Sequence, residues 1–430
     1  MSITARLVVL ALAGAIPVML YPGAVSAAVW LALLVLAAAV DLALAASPRK
    51  VGVQRSVPST VRLTEDCAST LTIRNHGSRT LRGWVREGWQ PSAGAQDSVH
   101  RVSVPPGEGR RVSTRLLPRR RGDLAVHHVT IRSVGPLGLA ARQITIPAPG
   151  VLRVLPPFHS KRLLPSKLRR LRELDGRAAV QIRGAGTEFD SLRDYVRGDD
   201  VRSIDWRASA RRRDTVVRTW RPERDRRVLI VLDTSRTSAA RIEDEPRLDT
   251  GIEASLLLAV LAQRGGDRVD FLAFDRRPRA RVQSVAKGNL LSSLVEAMAP
   301  LEPELIEADF SQIPAQVRSI TAHRSLVVLL TSLEAGAVEE GLLPVLPSLT
   351  AQHLVVVASV RDPQLDALRH ERTTAAEVYR AAAAERAVLD RAAIKARLHQ
   401  LGAEVVDEPP HELPSKLADL YIRLKAAGRL

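Results

Sequence analysis

Residues 228–232 read Val-Leu-Ile-Val-Leu, and this run constrains the fold more than any other stretch of the chain. A strand with one wet face alternates apolar and polar residues, whereas an unbroken apolar run suits a parallel strand covered on both sides. The run ends on Asp233-Thr234-Ser235-Arg236-Thr237, which puts a carboxylate and hydroxyls at the carboxyl end of a buried strand. Open α/β sheets place their ligands there. The apolar pattern returns at residues 269–274, at Leu326–Leu330 and at residues 354–358, and Val405-Val406 offers a short edge strand. Helical spacing fills the intervals. Leu256, Leu257, Val260 and Leu261 follow Thr250-Gly251-Ile252-Glu253, which has the form of a capping box, and Gly265 is a suitable stop. Further helices are expected at Leu290–Met298, at residues 375–398 behind Thr374 and Glu377, and at residues 413–427. The expectation for residues 228–430 is a doubly wound α/β domain with a mostly parallel sheet.

The chain before this domain is of a different kind. Residues 7–20 and 24–46 are apolar runs separated by Tyr21-Pro22-Gly23. The second is long enough for a bilayer core of ~30 Å and the first is marginal, so residues 1–47 are expected to form two transmembrane helices. A cleaved signal peptide ending near Val25-Ser26-Ala27 is the competing reading, but only Arg6 precedes the run and the apolar signal resumes at once. Arg49, Lys50 and Arg55 follow the second run while the turn is uncharged, which puts the later domains in the cytoplasm of a multi-pass cell-membrane protein. Asp41 sits near the end of the span, where it can reach the interface.

Residues 48–150 alternate apolar and polar residues at 71–73, 102–104, 129–131 and 144–146. Asn75-His76-Gly77, Pro105-Pro106-Gly107 and Arg121-Gly122 punctuate them, which suggests a small antiparallel β-sandwich. Residues 151–227 form a basic linker followed by a dense charged segment, and the basic helix expected near residues 167–174 is read as a solvated one, with contact to anionic lipid beside the membrane as the alternative. The net charge of +17 favours an anionic partner: a membrane surface, nucleic acid or an acidic protein face. Cys67 is the only cysteine, so no intrachain disulfide forms, and no Cys/His cluster has zinc spacing.

Acids, arginines and aromatics alternate densely over residues 184–211. Glu188, Asp190, Asp194, Asp199, Asp200 and Asp205 raise the prospect of metal-dependent hydrolysis, which requires carboxylates converging on a rigid scaffold. No Lys lies between Lys167 and Lys287 and no His between His159 and His323, so Arg193, Arg197, Arg202 and Arg207 are the natural ion-pair partners of these acids. The segment is then a self-braced element that fastens the linker to the sheet or presents a docking face. The candidates for that face are Glu188, Arg193, Tyr195, Asp199, Asp200, Arg202, Asp205, Trp206 and Arg211. No phosphate loop, dinucleotide fingerprint or Ser-His-Asp order supports another enzyme class.

The chain resembles the bacterial family catalogued as domain of unknown function 58. The resemblance rests on Gly186, Glu188, Leu192, Arg193, Tyr195, Gly198-Asp199-Asp200, Arg202, Ile204-Asp205-Trp206 and Ser209-Ala210-Arg211. Weaker matches flank it at Arg120-Arg121-Gly122, Gly135-Pro136-Leu137-Gly138-Leu139, Arg361-Asp362-Pro363, and residues 421–425 and 428–430. The resemblance implies a membrane-anchored protein whose α/β domain is von Willebrand factor A-like (Rossmann-like), acting with a MoxR-type AAA+ ATPase in chaperone-like assembly or remodelling. It also implies a divalent ion, Mg²⁺, above the sheet, with Asp233, Ser235 and Thr237 supplying the first part of its ligand set. A Thr and an Asp from later loops complete such a set in the wider family. Here Ser332 stands where the carboxylate is expected, so the site is incomplete, and Asp233 and Ser235 equally suit capping of the following turn. The expected function is a non-enzymatic, protein-binding adaptor. A membrane-tethered metal-dependent hydrolase or nuclease, and an exported adhesion protein, are the rivals.

Overall fold

The structure, a computed structural model, describes residues 2–181, 188–196, 199–212, 214–221, 226–283 and 288–430, and divides into two units, Met1–Pro157 and Phe158–Leu430. Gly184–Thr187, Arg197, Gly198 and Lys287 lie outside the described residues.

In the first unit a short strand β1 (Ser2–Ile3) leads into helices α1 (Ala5–Ala13) and α2 (Ala15–Leu20), and then α3 (Ala24–Leu44). At ~1.5 Å per residue, the 21 residues of α3 reach about 31 Å, enough for a bilayer core. Of the helices described, one is long and apolar enough to cross a membrane. The expectation of two spans is therefore met only in part. The first run divides at Gly14 into helices of 9 and 6 residues, and Pro17 sits in the second. Gly14 is needed there because a Cβ would come within 1.8 Å of Trp30 Nε1 on α3.

Asp41 is fully buried in α3 rather than snorkelling to an interface. Its carboxylate accepts the backbone N–H groups of Leu137 (2.7 Å), Leu139 (2.7 Å) and Ala140 (2.9 Å). These donors satisfy a charge that would otherwise be costly to bury. A side chain at Gly135 would meet Asp41 Oδ1 at 2.2 Å, so the Gly-Pro-Leu-Gly-Leu segment is the nest that receives this carboxylate. Arg142 Nε donates to Leu42 O (3.0 Å) and Arg132 Nη2 to Ile3 O (2.8 Å), so both ends of the apolar region are tied to the sandwich.

The sandwich follows as β2 (Val51–Ser56), β3 (Thr60–Arg62), β4 (Cys67–Asn75), β5 (Leu81–Glu87), β6 (Ala95–Gln96), β7 (Val99–Val104), β8 (Gly109–Leu116), β9 (Gly122–Val134) and β10 (Ala140–Leu155). One sheet runs β1-β10-β9-β5-β7 with β3 alongside β10, and the other β2-β4-β8-β6. Alternate residues Leu71 and Ile73, Leu81 and Val85, and Val129 and Ile131 meet in one core. The sandwich does not stop at residue 150. After a register shift between Pro147 and Gly150, β10 resumes its pairing with β9 through Val151 to Val154, and the unit extends to Pro157.

The second unit starts with α4 (Leu164–Gln181). This basic helix is not simply solvated: Leu171 is buried, and Lys167 (2.7 Å) and Arg170 (3.2 Å) pair with Asp419 of the last helix. A hairpin of β11 (Glu188–Asp194) and β12 (Val216–Arg221) brackets α5 (Trp206–Arg212). The main sheet comprises β13 (Arg227–Asp233), β14 (Arg268–Phe274), β15 (Pro278–Val282), β16 (Leu326–Leu330), β17 (Leu354–Val360) and β18 (Glu404–Glu408). Their order is β15-β14-β13-β16-β17-β18, parallel except for the antiparallel edge strand β15. Helices α6 (Arg247–Arg264), α7 (Leu290–Met298), α8 (Ile313–Ile320), α9 (Leu343–Thr350), α10 (Ala375–Gln400) and α11 (Leu413–Ala426) complete the unit.

The pure apolar strands feed both faces of this sheet. Leu229, Val231, Val327, Leu329, Val355 and Val357 join a core with Val317, Leu346, Ile394 and Leu398 from α8, α9 and α10. Leu232 faces α6, where a Cβ on Gly251 would come within 2.8 Å of it. The capping box expected at Thr250 is not formed. Helix α6 begins at Arg247 behind Pro246, Thr250 is buried inside it, and the Glu253 carboxylate accepts the Ser160 N–H instead. The box at Thr374 and Glu377 is present. Beneath the sheet, a buried Lys425–Asp267 pair (2.6 Å), with Tyr421 Oη donating to the same carboxylate (2.5 Å), locks α11 to the α6–β14 turn.

Candidate functional site

From the central strand β13 the chain crosses by α6 to β14 on one side, and later reaches β16 on the other. The carboxyl ends of β13 and β16 therefore flank the point where the order reverses, which is where a crevice opens in such sheets. Asp233 ends β13, and Thr331 and Ser332 follow β16.

The structure brings Asp233, Ser235 and Thr237 together, as the sequence suggests, and adds Thr331. Asp233 Oδ1 accepts the Ser235 N–H (2.7 Å). Asp233 Oδ2 accepts the hydroxyls of Thr331 (2.6 Å) and Thr237 (3.2 Å). Ser238 Oγ donates to the Asp233 carbonyl (2.7 Å). All these residues are buried. Burial pushes the Asp233 carboxyl above its ordinary range, against the opposing pull of the Thr331, Ser235 and Thr237 donors.

This donor set is one carboxylate with hydroxyls already pointed at it, which falls short of the oxygen shell Mg²⁺ takes from carboxylates and waters. Among the described residues no group of three or more His, Cys, Asp or Glu stands close enough to hold a metal ion. Glu334, the nearest following acid, does not turn to Asp233; it pairs with Arg247. Arg247 also donates to the Thr237 carbonyl (3.3 Å).

The second part of the site is the charged hairpin. Asp199 accepts from Arg193 (2.5 Å) and from the Val196 N–H (2.9 Å), and these two contacts hold its carboxyl below the usual range. Asp205 caps α5 through the N–H groups of Ala208 (2.9 Å) and Arg207 (3.1 Å), and its other oxygen takes Arg218 Nε (2.9 Å). The Ala208 bond first, then Arg218, lowers its pKa. Asp200 Oδ1 accepts the Arg202 N–H (3.0 Å). Arg193 is thus a partner as expected, but Asp205 takes Arg218 rather than Arg202 or Arg207, because Arg218 lies across the hairpin beside it. Tyr195 is half-buried, and its N–H joins Thr215 O (2.8 Å). Arg202 and Arg211 are exposed, Trp206 is 71% exposed, and Val196 and Val201 are exposed as well. Glu188 lies on β11 opposite Arg221, and its side chain is outside the described residues.

Thr331 and Arg247 escaped the sequence reading. Thr331 had a signal, since it ends an apolar run just as Asp233 does. Arg247 had none, because only the turn after Thr237 carries it back over the sheet.

The family described as "Protein of unknown function DUF58" matches residues 191–408. Uncharacterized proteins of Mycobacterium bovis and Mycobacterium tuberculosis are 24% identical over 185 residues, covering 43% of this chain and 57% of theirs. The chain thus spans about half the length of the curated relatives it matches. Among solved structures, the conserved hypothetical protein BatB from Bacteroides thetaiotaomicron is similar over 47% of this chain and 99% of its own, at 15% identity and a TM-score of 0.30. The PapD-like domain 7 of human CEP192 is similar over 24% of this chain and 84% of its own, at 19% identity and a TM-score of 0.17.

Proposed function

The chain belongs to the family of proteins of unknown function DUF58, and from that premise we propose that it is a membrane-anchored, non-catalytic docking protein. Helix α3 anchors it, with α1 and α2 as the other arm of a hairpin and the folded units on the cytoplasmic side. The sheet of the second unit is taken as von Willebrand factor A-like, and its partner as a MoxR-type AAA+ ATPase engaged in assembly or remodelling.

One observation carries this reading. Two acids of the charged segment are held in local braces, Asp199 by Arg193 and Asp205 by Arg218, while the large apolar side chain of Trp206 is exposed to solvent. A hydrolase needs the reverse, with free carboxylates gathered round a reacting group and aromatics packed behind them. Exposed Trp with flanking Arg is the composition of interface anchors. The Asp233 cluster supports the same reading, as a closed hydrogen-bonded corner that shapes the sheet's carboxyl edge without Mg²⁺.

The test is photocrosslinking from position 206 in native membranes with ATP present, followed by identification of the captured protein. Capture of an AAA+ ATPase is expected. Capture of none, together with Mg²⁺- or Mn²⁺-dependent cleavage of nucleic acid by the purified chain, would replace this reading with the hydrolase one.

A further inference from the structure

The sandwich loop that receives Asp41 sits at a defined height on α3. Asp41 lies in the last turn of that helix, and its carboxylate takes the Leu137 N–H, so the tip of the loop is level with the helix's apolar end. Thr4, just before α1, donates its hydroxyl to the carbonyls of Gly138 (2.6 Å) and Leu139 (2.9 Å), which seats the same loop against the start of the first arm. Leu137 is 52% exposed there, and Val40 and Leu44 of α3 are exposed at the same height.

Cations ring this level. Arg142 Nε donates to Leu42 O and Arg79 Nη1 to Ala43 O, so both serve carbonyls left open at the end of α3. The Arg6 guanidinium lies beside Gly138, where a Cβ would come within 2.8 Å of Nη1. Arg49 and Lys50 follow α3 and are exposed. Among the described residues no carboxylate pairs with any of these five side chains. The sequence leaves few to do so. Asp41 is the only acid before Glu65, and none lies between Asp123 and Glu173. Asp41 itself is spent on three backbone N–H groups.

Serving a carbonyl uses one of the five N–H donors of a guanidinium. Arg79, bonded through Nη1, keeps its Nε–Nη2 edge, and Arg142, bonded through Nε, keeps its Nη1–Nη2 edge. Either edge matches two oxygens of one phosphate. Helix capping accounts for the two carbonyl contacts, but not for an apolar tip held outward inside a collar of cations that lack a counter-ion. Hydrocarbon against Leu137 and phosphate against the arginines would satisfy both.

We infer that residues 135–139 and the collar of Arg6, Arg79 and Arg142 form a binding site for the phosphate headgroup of an anionic phospholipid. The sandwich then rests on the membrane surface instead of serving as a spacer away from it. This rests on α3 spanning a bilayer, as proposed above.

The experiment uses the full chain in nanodiscs of phosphatidylcholine and phosphatidylglycerol in equal amounts. Cys67→Ser removes the native thiol, and Leu137→Cys or Leu33→Cys then carries an environment-sensitive fluorophore. Spin labels on the lipid headgroup are expected to quench it at position 137, and labels deep in the acyl chain to quench it at position 33. Native mass spectrometry of the chain released from nanodiscs is expected to show phosphatidylglycerol retained about fivefold or more over phosphatidylcholine. Arg6→Gln breaks no hydrogen bond of the fold and is expected to lower that enrichment with Tm unchanged. Arg6→Gln, Arg79→Gln and Arg142→Gln together are expected to abolish it. Inorganic phosphate, titrated calorimetrically into the chain in neutral detergent, is expected not to bind saturably. Equal retention of the two lipids, enrichment that survives the triple substitution, saturable binding of free phosphate without lipid preference, or a fluorophore at 137 beyond reach of the headgroup labels would each overturn the assignment. Quenching at 33 without quenching at 137 would leave the membrane anchor standing and sink the lipid site, whereas a fluorophore at 33 untouched by the deep labels would sink the anchor itself.

Discussion

Replacing Thr331 with Val tests the nature of the Asp233 corner. The two side chains have the same shape, so the change removes one hydroxyl and little else. That hydroxyl donates at 2.6 Å to a buried carboxylate that also takes the Ser235 N–H, the Ser235 side chain and the longer Thr237 contact. A hydrogen bond to a charged buried group is worth about 1.5–3 kcal/mol, and one between neutral groups about 1. The direction with pH follows from linkage. Burial raises the Asp233 carboxyl above the unfolded value of ~3.9. A group raised in this way contributes stability that is complete below its unfolded value and is lost as pH rises through its folded value. Thr331→Val raises the folded value further, so the variant keeps losing stability at pH values where the unsubstituted protein has levelled off. Thermal unfolding of the full chain in detergent is expected to show a deficit of about 1 kcal/mol near pH 4 and roughly 1.5–3 kcal/mol at pH 7.5, the latter about 3–5 °C in Tm for a unit of this size. In an Asp233→Asn background the same substitution is expected to cost about 1 kcal/mol at both pH values. A deficit below about 0.5 kcal/mol at neutral pH, or one that does not change with pH, would refute the account of Asp233 as a buried acid held by hydroxyls.

Three further outcomes follow from the same geometry. Millimolar Mg²⁺ is expected to leave the Tm within about 1 °C of its value in EDTA, and a larger rise that disappears in Asp233→Asn would restore a metal to this corner. Asp41→Ala orphans three backbone N–H groups at roughly 1–3 kcal/mol each, so the first unit is expected to lose at least ~3 kcal/mol and to become protease-sensitive near Gly138; retained resistance would show that α3 and the sandwich are not stapled there. Trp206→Ala is expected to change stability by under about 0.5 kcal/mol, as for other exposed sites, yet to weaken partner capture at least tenfold; loss of stability instead would make Trp206 part of the fold.

The main sheet was legible because its strands are buried on both faces. Leu326–Leu330 and the neighbouring apolar runs have no other stable use in a chain this charged, and their order with helices between them leaves few topologies. The Thr374 box was legible because both its partners are local in sequence. The Thr250 box failed for the opposite reason. The helix starts a turn early behind Pro246, Thr250 is buried inside it, and tertiary burial outweighed a local cap. The second apolar run has the length to span a bilayer, whereas the first is divided at Gly14.

From residue types alone, the chain specifies a helix long and apolar enough to cross a membrane, a sandwich of short alternating strands and a parallel sheet with Asp233 at its carboxyl edge. Those features follow from periodicity and turn chemistry, which act over a few residues. What the polar groups do with one another was decided only in three dimensions. Asp41 finds its donors 96 or more residues away, Asp233 finds Thr331 98 residues away, and Arg247 finds Glu334 87 residues away. Burial obliges each such group to find a partner, but the spacing of residues along a chain does not say which partner the folded sheet will bring within 3 Å.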